Sequence, residues 1–233
     1  MKISKKIIYF SLLSLIVLGA VSNYTKAQEI STGVDLYSTY VFRGVAFSGP
    51  AIQPYVELSS KGFTVGAWGS QGIDGVGGTN NGFQEMDLYA SYSFDFGLSL
   101  GITDYYYPGT PYFSYTEDPA NGDFSSHAFE INSGYSIENF SLAANIILNE
   151  ASGAGSAGGD LYFEAGYSLK KTDLFIGVGD GWHSSDGDFA LVNFGLTTSK
   201  DLVITETFTI PLSGSVILNP DSEQLYILVG LSF

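Results

Sequence analysis

The chain has 233 residues, of which 45% are hydrophobic and only 14% charged, with no cysteine and a formal net charge of −15. The lack of cysteine excludes disulfides, a lipid-modified cysteine anchor and thiolate metal sites. The acidic balance argues against nucleic acid or any other anionic polymer as a partner, since like charges repel.

In chain order, the first element is an export signal. Lys2, Lys5 and Lys6 precede an apolar run from Ile7 to about Ala20, followed by a polar stretch ending in Thr25-Lys26-Ala27. A basic start, a short greasy core and small residues before the cut describe a secretory signal peptide. The run is shorter than the roughly 18 residues that a spanning helix needs. Residues 1–27 are therefore expected to be removed, leaving one domain over residues 28–233. Its only basic residues are then Arg43, Lys61, Lys170, Lys171 and Lys200.

The remainder reads as segments of about ten residues with period-two alternation, the weak per-segment mark of a transmembrane barrel. Strands are predicted near 31–43, 50–59, 62–70, 84–94, 97–107, 127–137, 139–149, 160–169, 173–182, 188–198, 201–217 and 224–233. Met86, Leu88, Ala90 and Tyr92 alternate with Glu85, Asp87, Tyr89 and Ser91, and Phe129, Ile131 and Tyr135 oppose Glu130, Asn132 and Gly134. An apolar face toward lipid and a polar or glycine face inward is what a closed barrel requires, because hydrocarbon offers no water to unpaired backbone groups. The expected fold class is thus an all-β transmembrane antiparallel barrel, twelve strands by this count and ten to fourteen by the looseness of the boundaries.

Connections alternate between tight and long. Ser60-Lys61, Asp95-Phe96, Glu138-Asn139, Lys170-Lys171-Thr172 and Ser199-Lys200 read as tight turns, and longer polar links fall between them, the longest over 108–126. Short turns on one side and long loops on the other match periplasmic and extracellular ends. Pro54 and Pro211 fall inside predicted strands, so a bulge or strand end is expected at each. Aromatic residues are expected at the two membrane interfaces: Phe63, Phe94, Phe140 and Phe233 on one side, Phe42, Tyr106 and Trp182 on the other.

The last strand alternates through Leu225, Ile227, Val229 and Leu231 to the terminal Phe233. Leu231 and Phe233 resemble the C-terminal signal that the barrel-assembly machinery reads in outer-membrane proteins, which implies that machinery and outer-membrane lipid as partners. Tyr40-Val41-Phe42-Arg43-Gly44, Pro50-Ala51-Ile52-Gln53-Pro54 and Gly62-Phe63-Thr64-Val65-Gly66-Ala67-Trp68-Gly69-Ser70 resemble the opening of the TorF-type porin family, also called the Gcw_chp outer-membrane proteins. The resemblance implies a barrel in the bacterial outer membrane and supplies no catalytic residue.

By strand parity the inward, pore-lining set is Asp35, Arg43, Gln53, Glu57, Glu85, Asp87, Glu130, Asn132, Asn145 and Glu164. Carboxylate walls concentrate cations and disfavour anions, so a narrow channel for small cationic or neutral solutes is the leading expectation. Barrel interiors are polar in any case, and Arg43 is equally suited to bridging Asp35, Glu57 or Glu85 within the wall. The alternatives are a structural or adhesive barrel with acidic extracellular loops, in which 108–126 plugs the lumen or faces outward, and a lipid hydrolase. The hydrolase rests on His183-Ser184-Ser185-Asp186-Gly187, which resembles the catalytic stretch of outer-membrane phospholipase A but has Asp186 where that family has Asn. No catalytic residue, metal site or cofactor is assigned.

Overall fold

The computed structural model of the chain describes residues 28–75 and 82–233. The leader expected over 1–27 lies outside the described residues. Twelve strands close into an antiparallel barrel: β1 (Glu29–Tyr37), β4 (Ala51–Ser60), β5 (Phe63–Gly72), β6 (Gln84–Ser93), β7 (Leu98–Tyr106), β8 (His127–Ile137), β9 (Phe140–Ile147), β10 (Leu161–Leu169), β11 (Thr172–Gly179), β12 (Ala190–Thr205), β13 (Phe208–Asn219) and β14 (Gln224–Ser232). β2 (Tyr40–Phe42) and β3 (Val45–Ser48) pair only with each other.

Alternation sets the two faces. Met86, Leu88 and Tyr92 are exposed on the outer surface while Glu85 and Asp87, of the opposite parity, are buried. Ile131, Tyr135, Leu142, Phe163, Tyr167, Ile176, Phe194, Val216 and Ile227 continue the apolar exterior around the wall. A monomeric soluble protein rarely exposes so continuous an apolar surface, whereas a barrel in lipid requires it. Tyr92, Phe94, Phe96, Phe140 and Phe233 crowd the short-turn end of that surface, forming one interfacial girdle.

The interior is shaped by tyrosines laid against glycines. Tyr55 stands opposite Gly33, Tyr89 opposite Gly66 and Tyr37 opposite Gly230, and a Cβ on any of those glycines would overlap the facing ring. Removing the side chain lets each ring lie along the wall instead of across the lumen.

The barrel closes where its first and last strands, β1 and β14, meet. β1 pairs with β4 along its whole length, from Glu29↔Ser59 to Tyr37↔Ala51, but with β14 only at Asp35↔Ser232, Leu36↔Leu231 and Tyr37↔Gly230. Val34 and Phe233 extend this seam with reciprocal backbone hydrogen bonds of 3.1 and 3.0 Å.

Four expectations are corrected. The first strand ends at Tyr37, not 43, because residues 38–50 turn inward. The turn expected at Ser199-Lys200 lies at Glu206-Thr207, since β12 and β13 continue as a ribbon past their neighbours, pairing Lys200↔Leu212 and Asp201↔Pro211. The prolines need no bulge: the β1–β4 register runs through Val34↔Pro54 and only the β4–β5 ladder skips that position, while β14 begins pairing with β13 at Leu212, one residue past Pro211. Each proline thus sits where one ladder does not ask it for an N–H. Finally, Phe42 and Trp182 do not join an outer girdle but pack inside the barrel mouth.

Candidate functional site

The site is built around the short hairpin of β2 and β3. Two residues in the left-handed region, Arg43 at φ 50° and Gly44 at φ 81°, make its turn, the geometry that matches the twist of paired strands. From its root between β1 and β4 the hairpin crosses the interior at the long-loop end. The Tyr40 hydroxyl donates to Glu85 on β6 at 2.8 Å, and its ring lies 5.6 Å from Trp68 on β5. Phe42 packs 6.1 Å from Tyr105 on β7. At the far side Asn219 of β13 donates to the Gly44 carbonyl at 3.0 Å, and a Cβ on Gly44 would overlap the Val192 carbonyl of β12.

Arg43 carries the strongest contact. Its guanidinium forks onto Glu130 of β8, Nη1 to Oε1 at 2.6 Å and Nη2 to Oε2 at 3.0 Å, with 11% of the arginine side chain and none of the glutamate exposed. The same Glu130 accepts from the Tyr105 hydroxyl at 2.9 Å and from the Asn132 amide. The guanidinium carbon stands 4.4 Å over the Tyr162 ring and 4.6 Å over Phe42, so the cation meets two π clouds. Taking a buried carboxylate out of water is tolerable only with this degree of pairing and hydrogen bonding.

Two further loops fold over the hairpin. Gly181–His183 forms a single 3-10 turn that brings Trp182 to 5.5 Å from Tyr105, while Ala151 and Ala154 of the 148–160 loop join Tyr105, Ala128 and Ile147 in a small apolar core. Trp182 donates its indole N–H to His183 Nε2 at 2.9 Å, and Arg43 Nη1 approaches the same nitrogen at 3.5 Å. Two donors on Nε2 leave the ring proton on Nδ1. Burial, and secondarily the charge of Arg43, push the His183 pKa down to about 3, so the ring is neutral at physiological pH.

The sequence-derived set sorts into three groups. Gln53, Glu85, Asp87, Glu130 and Asn145 are buried on inward wall positions around the hairpin, with Gln53 bonded to Ser70 and Asn145 to Asn132. Asp35, Glu57, Asn132 and Glu164 are half-buried inward positions; Glu57 accepts from Tyr89 at 2.7 Å and Glu164 from Asn193 at 2.9 Å. Arg43 is not a wall residue and bridges none of Asp35, Glu57 or Glu85; it tips the hairpin and reaches Glu130 instead. Among the described residues it is the sole lysine or arginine in the interior, since Lys61, Lys170 and Lys171 sit at turns and Lys200 faces outward. Sequence reading missed Tyr40, Trp182 and Asn219 as parts of this cluster, while Tyr105 and Tyr162 face inward as strand parity implies. The signal that could have found it is the Arg43-Gly44 dipeptide, which has the same form as Lys61-Gly62, a turn at φ 51° and 84°.

The long 108–126 segment does not enter the lumen. It lies over the outer rim, where His127, an outward position of β8, is enclosed by the rings of Tyr106, Tyr112 and Tyr115. His127 Nδ1 meets Asp104 at 2.8 Å and Nε2 meets the Tyr112 carbonyl at 2.6 Å. Glu117 accepts from the Ser125 amide within the segment and ties it to the next loop through the Ser152 amide and hydroxyl. Among the described residues no group of three or more His, Cys, Asp or Glu is placed to hold a metal ion. Nor does a hydrogen bond join the exposed Ser185 hydroxyl to an imidazole; the Ser185 amide donates to Asp221 at 2.7 Å.

These features define a transmembrane β-barrel of the outer-membrane type whose mouth is crossed by an inward hairpin. The chain belongs to the Gcw_chp family, described as a bacterial protein of unknown function, whose model matches residues 21–208. No curated protein sequence matches it. Among solved structures, one mutant porin of Rh. blastica is 17% identical with a TM-score of 0.41, over 78% of this chain and 55% of that one. The chain thus spans about half the length of that porin; another mutant of the same porin gives 16% and 0.44 over 89% and 73%. The Salmonella typhi outer membrane phospholipase dimer with bound calcium is 12% identical with a TM-score of 0.40 over 91% of each chain.

Proposed function

We propose that this chain is an outer-membrane channel for small cationic or neutral solutes, held shut by its own β2–β3 hairpin. The observation that carries the reading is the Arg43–Glu130 pair, which fastens the tip of a short, separately paired hairpin to the wall opposite its root. Twelve strands lie between the barrels of about eight, whose interiors side chains fill, and the porins of sixteen or more that leave an aqueous channel. At that size a single inserted hairpin is enough to close the passage. With the hairpin withdrawn, Glu57, Glu85, Asp87, Glu130 and Glu164 line a wall with no fixed interior cation, which favours cations.

A hydrolase reading draws no support from His183, whose Nε2 is already occupied by two donors and whose basicity is strongly depressed. A general base needs a free lone pair near the nucleophile. An adhesive role for the 108–126 loop remains the second reading, favoured by its position on the outer rim; it predicts a phenotype on deletion of residues 110–123 and none on changes inside the lumen.

The test is the reversal potential of Arg43→Ala in a planar bilayer under a potassium chloride gradient, with and without Glu57→Gln and Asp87→Asn. Cation selectivity that falls on neutralisation supports the reading. Selectivity unchanged by both substitutions would remove these carboxylates from the permeation path.

A further inference from the structure

The partners of Arg43 belong to the wall, not to the hairpin. Glu130 is on β8, with Asn132 donating to it from the same strand, Tyr105 is on β7, Tyr162 on β10, and His183 on the turn after β11. Only Phe42, whose ring also meets the guanidinium, travels with Arg43. Lifting the hairpin would therefore leave a preformed seat: a carboxylate oriented by a tyrosine hydroxyl and an amide, beside an aromatic ring at stacking distance. Next to it, Asp87 is nine-tenths buried, and its Oδ1 has no hydrogen-bond partner. With Arg43 withdrawn, Glu130 is left without the cation it pairs with.

We infer that this seat is a binding site for guanidinium-bearing solutes, occupied in the shut barrel by the chain's own Arg43. Two parallel N–H···O bonds to one carboxylate need a planar fork, and a flat cation stacks on Tyr162 where a hydrated ammonium or potassium ion does not. Because Arg43 and a solute compete for the same oxygens, the solute binds only with the hairpin displaced. A ligand selective for one state shifts the balance toward it: at a concentration of about 100 times its dissociation constant the open-to-shut ratio rises about 100-fold. The inference rests on the gated-channel reading for this consequence, and it makes the permeant solute its own opener.

Both tryptophans flank the site, Trp182 through His183 and Trp68 through Tyr40. Tryptophan fluorescence of the refolded protein, titrated with methylguanidinium chloride against methylammonium chloride at matched ionic strength, therefore reports binding without any need for conductance. Arg43→Ala should bind methylguanidinium saturably and at least about ten-fold tighter than methylammonium. Wild type should need more of it, and Glu130→Gln added to Arg43→Ala should abolish the response. No saturable change in Arg43→Ala of native, heat-modifiable gel mobility, or equal binding of both cations, overturns the inference. Should that variant not fold, Arg43→Lys keeps the charge, loses the fork and takes its place under the same criteria. An Arg43→Ala barrel that binds methylguanidinium but never conducts sinks the channel and keeps the site; one that conducts but does not bind does the reverse.

Discussion

Arg43 and Glu130, 87 residues apart in the chain, meet as a forked ion pair of 2.6 and 3.0 Å inside the mouth of the barrel. Removing one member of a buried pair costs about 3–5 kcal/mol, because the other is left uncompensated. Here that cost can be relieved locally, by release of the hairpin, without unfolding twelve mutually bonded strands. Arg43→Ala should accordingly leave the barrel's thermal unfolding nearly unchanged while hydrogen exchange at residues 40–48 rises by orders of magnitude. Exchange that rises throughout the wall would mean that the pair supports the fold rather than a latch.

Gly44 tests the same latch by shape. Its φ of 81° and its approach to the Val192 carbonyl leave no room for a methyl group. Strain at one such position costs about 1–3 kcal/mol, and the backbone overlap adds to it. Gly44→Ala should increase protease cutting within the hairpin of the intact barrel, whereas Gly214→Ala, where a Cβ meets nothing within 4 Å, should not.

The two histidines should differ sharply in NMR spectra of the micelle-bound protein. His183 should remain neutral, protonated on Nδ1, from about pH 8 down to about pH 4, against a usual value near 6.5. With the folded value depressed, its contribution to stability is fully present above the unfolded pKa and is lost as pH falls from there through about 3. His127 has the opposite surroundings, with acceptors at both nitrogens (Asp104 at Nδ1, the Tyr112 carbonyl at Nε2), so its ring nitrogen shifts should differ from those of His183. A His183 that titrates near its usual value would mean that its ring is open to water and not covered by Trp182.

The short β1–β14 seam makes the end of β14 a structural closure. Deleting Phe233 removes its reciprocal bonds with Val34, and Leu231 pairs directly with Leu36. The deletion should slow or reduce formation of the heat-modifiable form by several-fold on refolding, with no effect on the mature barrel's hairpin exchange. Folding at an unchanged rate would deny Phe233 that role.

The wall was legible in the sequence because lipid outside and water inside impose strict alternation: the predicted 127–137 strand matches β8 at both ends, and the inward carboxylates of β6 and β8 follow from parity alone. The inward hairpin was not legible for the same reason. Tyr40 to Phe42 continues the alternation of β1, so periodicity cannot tell a strand facing lipid from a hairpin packed inside. Length was the available warning, since a run over 31–43 exceeds the 9–11 residues that cross a bilayer. Arg43 then looked like a wall residue near Asp35, because only the tertiary fold brings β8 opposite the β1–β4 root. The β12–β13 turn was misplaced where Ser199-Lys200 looked polar enough to end a strand, although the actual ribbon carries those residues past the rim.

The most direct measurement is single-channel recording of wild type, Arg43→Ala and the charge-swapped Arg43→Glu/Glu130→Arg double variant under identical conditions. The account predicts a barrel that is shut or rarely open in wild type, discrete steps in Arg43→Ala, and closure recovered in the swap. Equal, steady conductance in all three would contradict it, because the hairpin would then lie in the lumen without controlling passage.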